Sequence, residues 1–322
     1  VPVYNNARDL PRCLNAIIEA IGTLAVEIIV VDDASTDDSG AIARTLGVQL
    51  IRLESNSGQS TGRNVGAQHA LGDILFFVDA DVVIAPDAMA RVDSFFSNNQ
   101  DVDAVFGSYD DTPDASGLVS QYRNLLHHFT HQSAHQEAIT FWAGCGAVRR
   151  AVFLHLGGFN EGYYNGRIED IELGYRLTNR GHRIVLDKSL WCRHLKHWSL
   201  WNMIRTDVYC RAVPWSRLLL EGQAPAENLN VNRAQKLSVA LTFLVGLSLL
   251  ASLFYPACLL LTGLFTAGLV LLNVDWFRFL TERRGVGFAV AAFGLHLLYF
   301  GYSGLSYLYV LARRAVGPPF EN

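Results

Sequence analysis

The sequence predicts an α/β layer fold followed by membrane-embedded helices. Three observations lead there. In the first third, short apolar runs rich in β-branched residues alternate with stretches of helical spacing. Paired acidic residues close two of those runs, at Asp32-Asp33 and at Asp79-Ala-Asp81. Toward the end come long apolar stretches, the first free of charge from Leu237 to Val274.

Leu10, Leu14, Ile17, Ile18 and Ile21 recur at helical spacing, and Glu27 to Asp32 is a run of the kind that forms a buried parallel strand. Ser35 to Asp38 offers a helix N-cap, Val48 to Leu53 a strand, Thr61 to Leu71 a helix and Asp73 to Val78 a third strand. A helix from Pro86 to Phe96 and a strand from Ala104 to Tyr109 follow. Short links between such elements argue for a mostly parallel sheet, and ligands bind such sheets beyond the carboxyl ends of the strands. Both acidic clusters fall at those ends. Further on, Leu118 to Gln132 and Ile168 to Asn179 read as helices. Thr140 to Val148 and His182 to Leu186 read as strands, and Ser199 to Leu220 as an amphipathic helix.

Half of the 322 residues are hydrophobic and 17% are charged, a balance shifted toward membrane by the apolar C-terminal part. A net charge of −4 gives no bulk attraction to nucleic acid. The five cysteines are odd in number and form no C-x-x-C pair, which argues against a disulfide framework or zinc ribbon and fits a reducing compartment. The opening Val1-Pro-Val-Tyr-Asn5 reads as the last residues of a strand, so the natural protein is expected to begin earlier.

Two carboxylates at i and i+2 beyond a strand end, Asp79 and Asp81, can share one divalent cation. Mg²⁺ or Mn²⁺ suits them, because both take oxygen ligands and keep phosphate in their shell. A solvated turn is the competing reading of such a triplet. It loses ground because Val1-Pro-Val-Tyr-Asn5, Val31-Asp-Asp-Ala-Ser35, Asn56-Ser-Gly with Gly62-Arg-Asn64, Asp79-Ala-Asp81, Gly157-Gly-Phe159 and Ile168-Glu-Asp170 occur in this order.

In these motifs the sequence resembles the family 2 glycosyltransferases, over about residues 1 to 215. The resemblance implies a GT-A (Rossmann-like) nucleotide-sugar-binding fold and inverting transfer from a nucleoside-diphosphate sugar. It implies that Pro2 and Tyr4 line the nucleotide pocket, that Asp33 binds the base and that Arg63 lies near it. It places Asp81 on the metal and Asp79 on the donor sugar or ribose, also near the metal. Asp32 reads equally as a capping or buried structural residue. Gly58 and Gly62 are expected to let backbone approach the ligand.

An inverting transfer to a hydroxyl needs a base on the acceptor. The resemblance assigns that role to Asp170, with Glu169 orienting the acceptor or the loop. Both acids also suit a helix start, where negative charge is favoured. Phe141-Trp-Ala-Gly-Cys-Gly-Ala147 resembles the segment beneath the sugars, and Trp142 is a candidate to stack on a sugar ring; a packed strand is the alternative. His194 follows the last strand, where many family members carry a histidine near the metal and diphosphate. His127, His131 and His135 share a helix face, more suited to solvent or an acceptor than to zinc.

Leu237 to Val274 fits two crossings broken at Tyr255-Pro256, and Val286 to Leu311 a third. Arg233, Lys236, Arg278, Arg283 and Arg284 would be cytoplasmic under the positive-inside rule, whereas Arg313 and Arg314 would then fall outside. A re-entrant second segment removes that conflict. Trp198, Trp201 and Trp215 suit an interfacial helix.

The expected domains are a catalytic domain over 1–221, a linker over 222–236, a region of two to three spans over 237–312 and a tail over 313–322. The expected function is metal-dependent transfer from a UDP- or GDP-sugar to a hydroxyl on a cell-surface glycan, exopolysaccharide or lipid-linked oligosaccharide. The catalytic domain is expected on the cytoplasmic side of a multi-pass membrane protein. A polyprenyl-phosphate acceptor is the alternative, disfavoured by the Glu169-Asp170 pair because a phosphate needs no base. A processive synthase lacks support, since Arg211-Ala-Val-Pro-Trp215 does not match the Gln-x-x-Arg-Trp spacing such enzymes carry. Intact Asp81 and Asp170 argue against an inactive membrane scaffold.

Overall fold

The computed structural model describes residues 1–162, 168–222 and 232–316. Most of the expected linker and the last residues of the expected tail therefore lie outside the described residues. The chain divides into two compact units, the first comprising residues 1–116 and 124–197, the second residues 117–123 and those from 198 onward.

The first unit opens with β1 (Pro2–Val3), α1 (Leu10–Ala20), β2 (Ile29–Asp32), α2 (Ser39–Thr45), β3 (Gln49–Arg52) and α3 (Gln59–His69). Strands β1, β2 and β3 form a wholly parallel sheet. Leu10, Cys13, Leu14 and Ile17 bury one face of α1, as the helical spacing predicted. Gly62 and Gly66 bring α3 down onto the sheet: a Cβ at Gly62 would lie 3.3 Å from the Pro2 ring, and one at Gly66 3.3 Å from Val31. Gly62 thus serves helix-on-strand packing.

The chain continues through β4 (Ile74–Val78), β5 (Val82–Ile84), α4 (Ala88–Asn98), β6 (Ala104–Tyr109), α5 (Leu118–Ser133), β7 (Glu137–Ala138), β8 (Cys145–Arg149), α6 (Arg150–His155), α7 (Glu169–Asn179) and β9 (Ile184–His194). Here the expectation of a mostly parallel sheet fails. The second sheet runs β4-β8-β6-β9-β5, with β7 on β9, and only β6 and β9 pair in parallel. Regular strand–helix alternation ends at Asp81. The chain turns back at once into β5, and β8 enters between β4 and β6 from the opposite direction. The Gly-interrupted segment from Thr140 is strand only from Cys145. A side chain at Gly146 would meet the Trp142 carbonyl at 2.3 Å, and one at Gly174 of α7 would meet Phe141 N at 2.4 Å. These glycines let α7 and the Phe141–Gly144 turn lie against each other.

The second unit holds α8 (Leu200–Asp207), a π-helical turn (Val208–Ala212), α9 (Val213–Leu220), α10 (Arg233–Ala251), α11 (Cys258–Leu272), α12 (Val274–Arg284) and α13 (Val286–Val316). The break between α10 and α11 falls at Tyr255-Pro256, as predicted. The charged residues between the second and third apolar runs lie on a helix, α12, which is bent 74° from α11. Helix α13 passes through the expected start of the tail. α10 and α13 are long and apolar enough to cross a membrane, and the bent pair α11–α12 gives up to three such spans by length and composition. Of the three tryptophans assigned to an interface, Trp201 is 70% exposed, whereas Trp198 and Trp215 are buried. All five cysteines are free; Cys13, Cys145 and Cys192 are buried and Cys210 and Cys258 partly exposed.

Polar side chains tie these helices together. The His296 ring lies 2.9 Å from Tyr122 Oη through Nδ1 and 3.4 Å from Asn273 Oδ1 through Nε2. Asn273 Nδ2 donates to Ser238 Oγ at 2.9 Å. Helices α10 and α13 approach closely at Gly304, where a Cβ would meet Phe243 at 2.5 Å and Val239 at 2.6 Å. At Gly301, one turn away, it would meet nothing within 4 Å. Gly304→Ala is therefore expected to destabilise the detergent-solubilised chain by about 1–3 kcal/mol, and Gly301→Ala to leave it unchanged or slightly more stable. Thermal unfolding of the two variants side by side checks this; equal behaviour would contradict the close approach.

Candidate active site

The acidic end of β4 and the start of α7 meet around one guanidinium. Arg63, on α3, is 4% exposed. Its Nη2 donates to Asp79 Oδ1 at 2.6 Å and its Nη1 to Glu169 Oε1 at 2.7 Å. Gln59, one turn earlier on α3, donates to the same Glu169 oxygen. Glu169 is buried, and its second oxygen has no partner. Burial works against the Arg63 charge, but Asp79 and Glu169 outweigh it and hold its pKa above the ordinary value. Arg63, expected beside the base, is engaged with the carboxylates expected at the sugar and the acceptor.

Asp170 follows on the first turn of α7. Its Oδ1 accepts from Ile171 N at 2.8 Å and its Oδ2 from Ala143 N at 3.3 Å. Burial pushes its carboxyl up to about 7, the Glu169 charge adds to the rise, and Arg63 opposes it. A carboxylate titrating there is matched to proton transfer near neutral pH. Residues 163–167, just before α7, lie outside the described residues.

Asp81 faces His194 at the end of β9, with Oδ2 3.3 Å from Nε2. Burial raises the Asp81 carboxyl, but His194 and Lys196 outweigh it and the net shift is downward. An oxygen and an imidazole nitrogen converging at a strand end suit a divalent cation that takes further oxygens from a phosphate. Among the described residues no three His, Cys, Asp or Glu side chains gather as a metal site. Asp79, expected to share the metal, is held by Arg63. Asp81 and His194 are thus the pair that fits a cation.

Asp33 is buried and accepts from Ser57 N at 2.7 Å and Gly58 N at 2.8 Å, which fixes the loop leading into α3. Its expected role toward a base would have to use its remaining lone pairs. Asp32 is wholly buried, accepts from Ser35 N at 2.8 Å and pairs with Arg52 at 3.0 Å, so its structural reading holds. Tyr4, directly after β1, is 49% exposed, while Pro2 packs on Gly62. The Gly157-Gly-Phe159 motif is joined to the Gly62-Arg-Asn64 motif. Asn64 Nδ2 donates to Phe159 O at 2.9 Å, and Phe159 N donates to Asn64 Oδ1 at 2.8 Å. Gly158 has φ +72°, and a Cβ there would lie 2.4 Å from Asn64 Oδ1.

Trp142 meets Tyr109 edge-on, with ring centroids 4.6 Å apart, and Tyr109 stacks on His194 at 4.8 Å and 10°. A Cβ at Gly144 would meet the Trp142 ring at 2.7 Å, so that glycine makes room for the indole. The histidine face of α5 packs into the same cluster: His131 against Trp142 and Phe106, His127 against Tyr109. Burial lowers His131 to about 4, with His128 adding to the effect, and His135 is exposed. Sequence reading missed Gln59, Tyr109 and Asn124, whose Oδ1 lies 3.0 Å from His194 Nδ1 and accepts from it. Gln59 was within reach as the residue four before Arg63, on the same face of α3. Tyr109 was within reach as the last residue of a strand whose carboxyl end faces the site.

Residues 1–157 match the family described as Glycosyl transferase family 2. The validoxylamine A glucosyltransferase of Streptomyces hygroscopicus subsp. jinggangensis is 27% identical over 224 residues, 59% of this chain and 53% of that protein. The undecaprenyl-phosphate 4-deoxy-4-formamido-L-arabinose transferase of Sodalis glossinidius is 33% identical over 110 residues, 32% of this chain and 34% of that protein. Among solved structures, the mannosyltransferase PcManGT of Pyrobaculum calidifontis, in complex with GDP-Man and Mn²⁺, gives a TM-score of 0.51 at 18% identity, over 96% of this chain and 85% of that one. The chain spans about a third to a half of the length of the first curated relatives it matches.

Removing Arg63 would leave Glu169 buried without a counter-charge. Arg63→Met is expected to cost about 3–5 kcal/mol at neutral pH and less in acid, where the stranded carboxyl takes up a proton. Unfolding midpoints of both proteins across pH check this; a penalty independent of pH would show that the ion pair is not its source.

Proposed function

We propose that this chain, which carries a family 2 glycosyltransferase domain of GT-A-like fold, is an inverting transferase. It would move a sugar from a UDP- or GDP-sugar to a hydroxyl on a glycan or lipid-linked acceptor. The observation that carries the reading is Asp170, a carboxyl pushed up to about 7 by burial and by Glu169, on the turn that faces Ala143. In the proposed step Asp170 takes the proton of the acceptor hydroxyl while that oxygen attacks the anomeric carbon. The bond from that carbon to the diphosphate oxygen breaks on the opposite face, which inverts the centre. Glu169, fixed by Arg63 and Gln59, keeps negative charge beside Asp170 and so keeps it basic. Asp81 and His194 would hold Mg²⁺ or Mn²⁺, which supplies neutralising charge to the leaving diphosphate. The Mn²⁺ in the mannosyltransferase complex supports that assignment by analogy.

The pocket roles of Pro2, Tyr4, Asp33 and Asp79 and the stacking role of Trp142 belong to the same proposal. So does a multi-pass attachment of 237–312 with the catalytic unit on the cytoplasmic side, where nucleotide sugars are found. A second reading, transfer to a polyprenyl phosphate, is favoured by the likeness to the undecaprenyl-phosphate transferase. It removes the need for a base.

Asp170→Asn separates the two readings. With a hydroxyl acceptor, transfer is expected to fall about 10²–10⁴-fold while donor affinity measured by calorimetry stays nearly unchanged. The wild-type rate should fall as pH drops through about 7, because the protonated carboxyl cannot accept a proton. Excess chelator should stop turnover. Transfer retained within a few-fold in Asp170→Asn would reject the base and favour the phosphate acceptor. The membrane assignment is checked by alkaline carbonate washing, after which the full chain is expected in the pellet; its release would mean that the apolar helices are a buried core.

A further inference from the structure

We infer that Asn124 and Tyr109 are positioning residues that fix His194 as a cation ligand beside Asp81. The inference rests on the metal reading above and extends it to residues that reading does not name. An imidazole can ligate a metal only through a nitrogen that carries a lone pair, and its other nitrogen must then hold the proton. His194 Nδ1 lies 3.0 Å from Asn124 Oδ1. An amide oxygen only accepts, so Nδ1 carries a proton, and in the neutral ring Nε2 is then the nitrogen with the lone pair. Nε2 lies 3.3 Å from Asp81 Oδ2. In the neutral ring that lone pair and a carboxylate oxygen face each other, an arrangement that a cation between them satisfies as a second proton does in the imidazolium. The pair is thereby shaped for a cation.

Asn124 is suited to this role by its surroundings. It is 2% exposed, on the second turn of α5, and its Nδ2 has no hydrogen-bond partner. The amide oxygen therefore meets His194 at the expense of leaving a buried donor unsatisfied, a cost of about 1–3 kcal/mol. Tyr109 fixes the remaining freedom. Its ring lies under the imidazole at 4.8 Å and within 10° of parallel, so rotation of His194 out of that plane meets the phenol. Tyr109 is itself wedged edge-on by Trp142 at 4.6 Å and by His127 at 5.7 Å. Orientation and tautomer are thus set by two different neighbours. Residues of this kind behind a metal-bound histidine affect affinity by about 10–100-fold when lost.

The test is Mn²⁺ binding to the full chain in detergent, followed by the electron paramagnetic resonance signal of free Mn²⁺. Titrations use the metal alone and then the metal with saturating UDP or GDP, with protein-free nucleotide subtracted. Asn124→Leu is expected to weaken Mn²⁺ about 10–100-fold. Asn124→Asp keeps an acceptor at Nδ1 and is expected to bind Mn²⁺ as well as wild type or better. Tyr109→Phe keeps the stacked ring and is expected to match wild type. Mn²⁺ affinity within twofold of wild type in Asn124→Leu would overturn the inference. So would a loss in Asn124→Asp equal to that in Asn124→Leu, because the amide would then be donating and Nε2 would carry the proton. Should Asn124→Leu fail to fold, the Asn124→Asp result decides alone. Wild type that binds no Mn²⁺ under any of these conditions would instead remove the metal reading itself.

Discussion

Arg63 brings one positive charge to two carboxylates, and the site is organised by that imbalance. A guanidinium forking to Asp79 and Glu169 at 2.6 and 2.7 Å neutralises one of them. The other charge remains in a buried setting, where Coulomb interactions are stronger than in water. Among the described residues, the second Glu169 oxygen has no hydrogen-bond partner. Asp170 is the next residue along and feels that remaining charge, which is part of why its carboxyl rises to about 7. The same side chain ties the triplet after β4 to the start of α7. A shift of either carboxylate is thus transmitted to the other through one rigid planar group. Geometry around Arg63 is enforced from below by Gly62 and Gly66, which let α3 settle on β1 and β2.

The first sheet was legible because its signals are local. Buried parallel strands show as short β-branched runs, and α1 shows its helical stripe, so both were placed within a few residues. The second sheet was not legible beyond its strands. Which strand pairs with which depends on contacts between residues far apart in sequence, such as Val78 with Cys145 and Val82 with His194. Its strands run in both directions, and no local pattern encodes that. Strand β5 has only three residues and follows directly on the acidic triplet, too short to show a period.

Candidate residues were legible as motifs but not as partners. Asp79, Asp81, Asp170 and His194 were singled out by spacing and resemblance, and the fold brings each to the ends of β4, α7 and β9. Their pairing was hidden, because Arg63 reaches Glu169 across 106 residues of chain and His194 reaches Asn124 across 70. The packing that several glycines allow was hidden for the same reason. Gly62, Gly144 and Gly146 sit in motifs associated with ligands, yet the atoms they make room for are the protein's own. In the helical unit, composition located the apolar runs well and Pro256 marked a break. The charged residues after Asn273 interrupt the apolar run, yet Trp276 and Leu280 among them are buried and hold α12 as a helix.

The thiols of the first unit are buried in or beside the sheets that carry the site. Burial pushes the Cys13 thiol up to about 12 and raises Cys192 as well. Only a thiolate attacks an oxidant or an electrophile at an appreciable rate, and at neutral pH Cys13 holds about one part in 10⁵ in that form. The sheet core is therefore nearly inert toward peroxide and alkylating agents while folded. Oxidative damage would arrive first at Cys210 or Cys258, the two partly exposed thiols of the helical unit. The sheet-bearing unit and the apolar helices thus differ in chemical lifetime, and the thiols of the helices would be modified first.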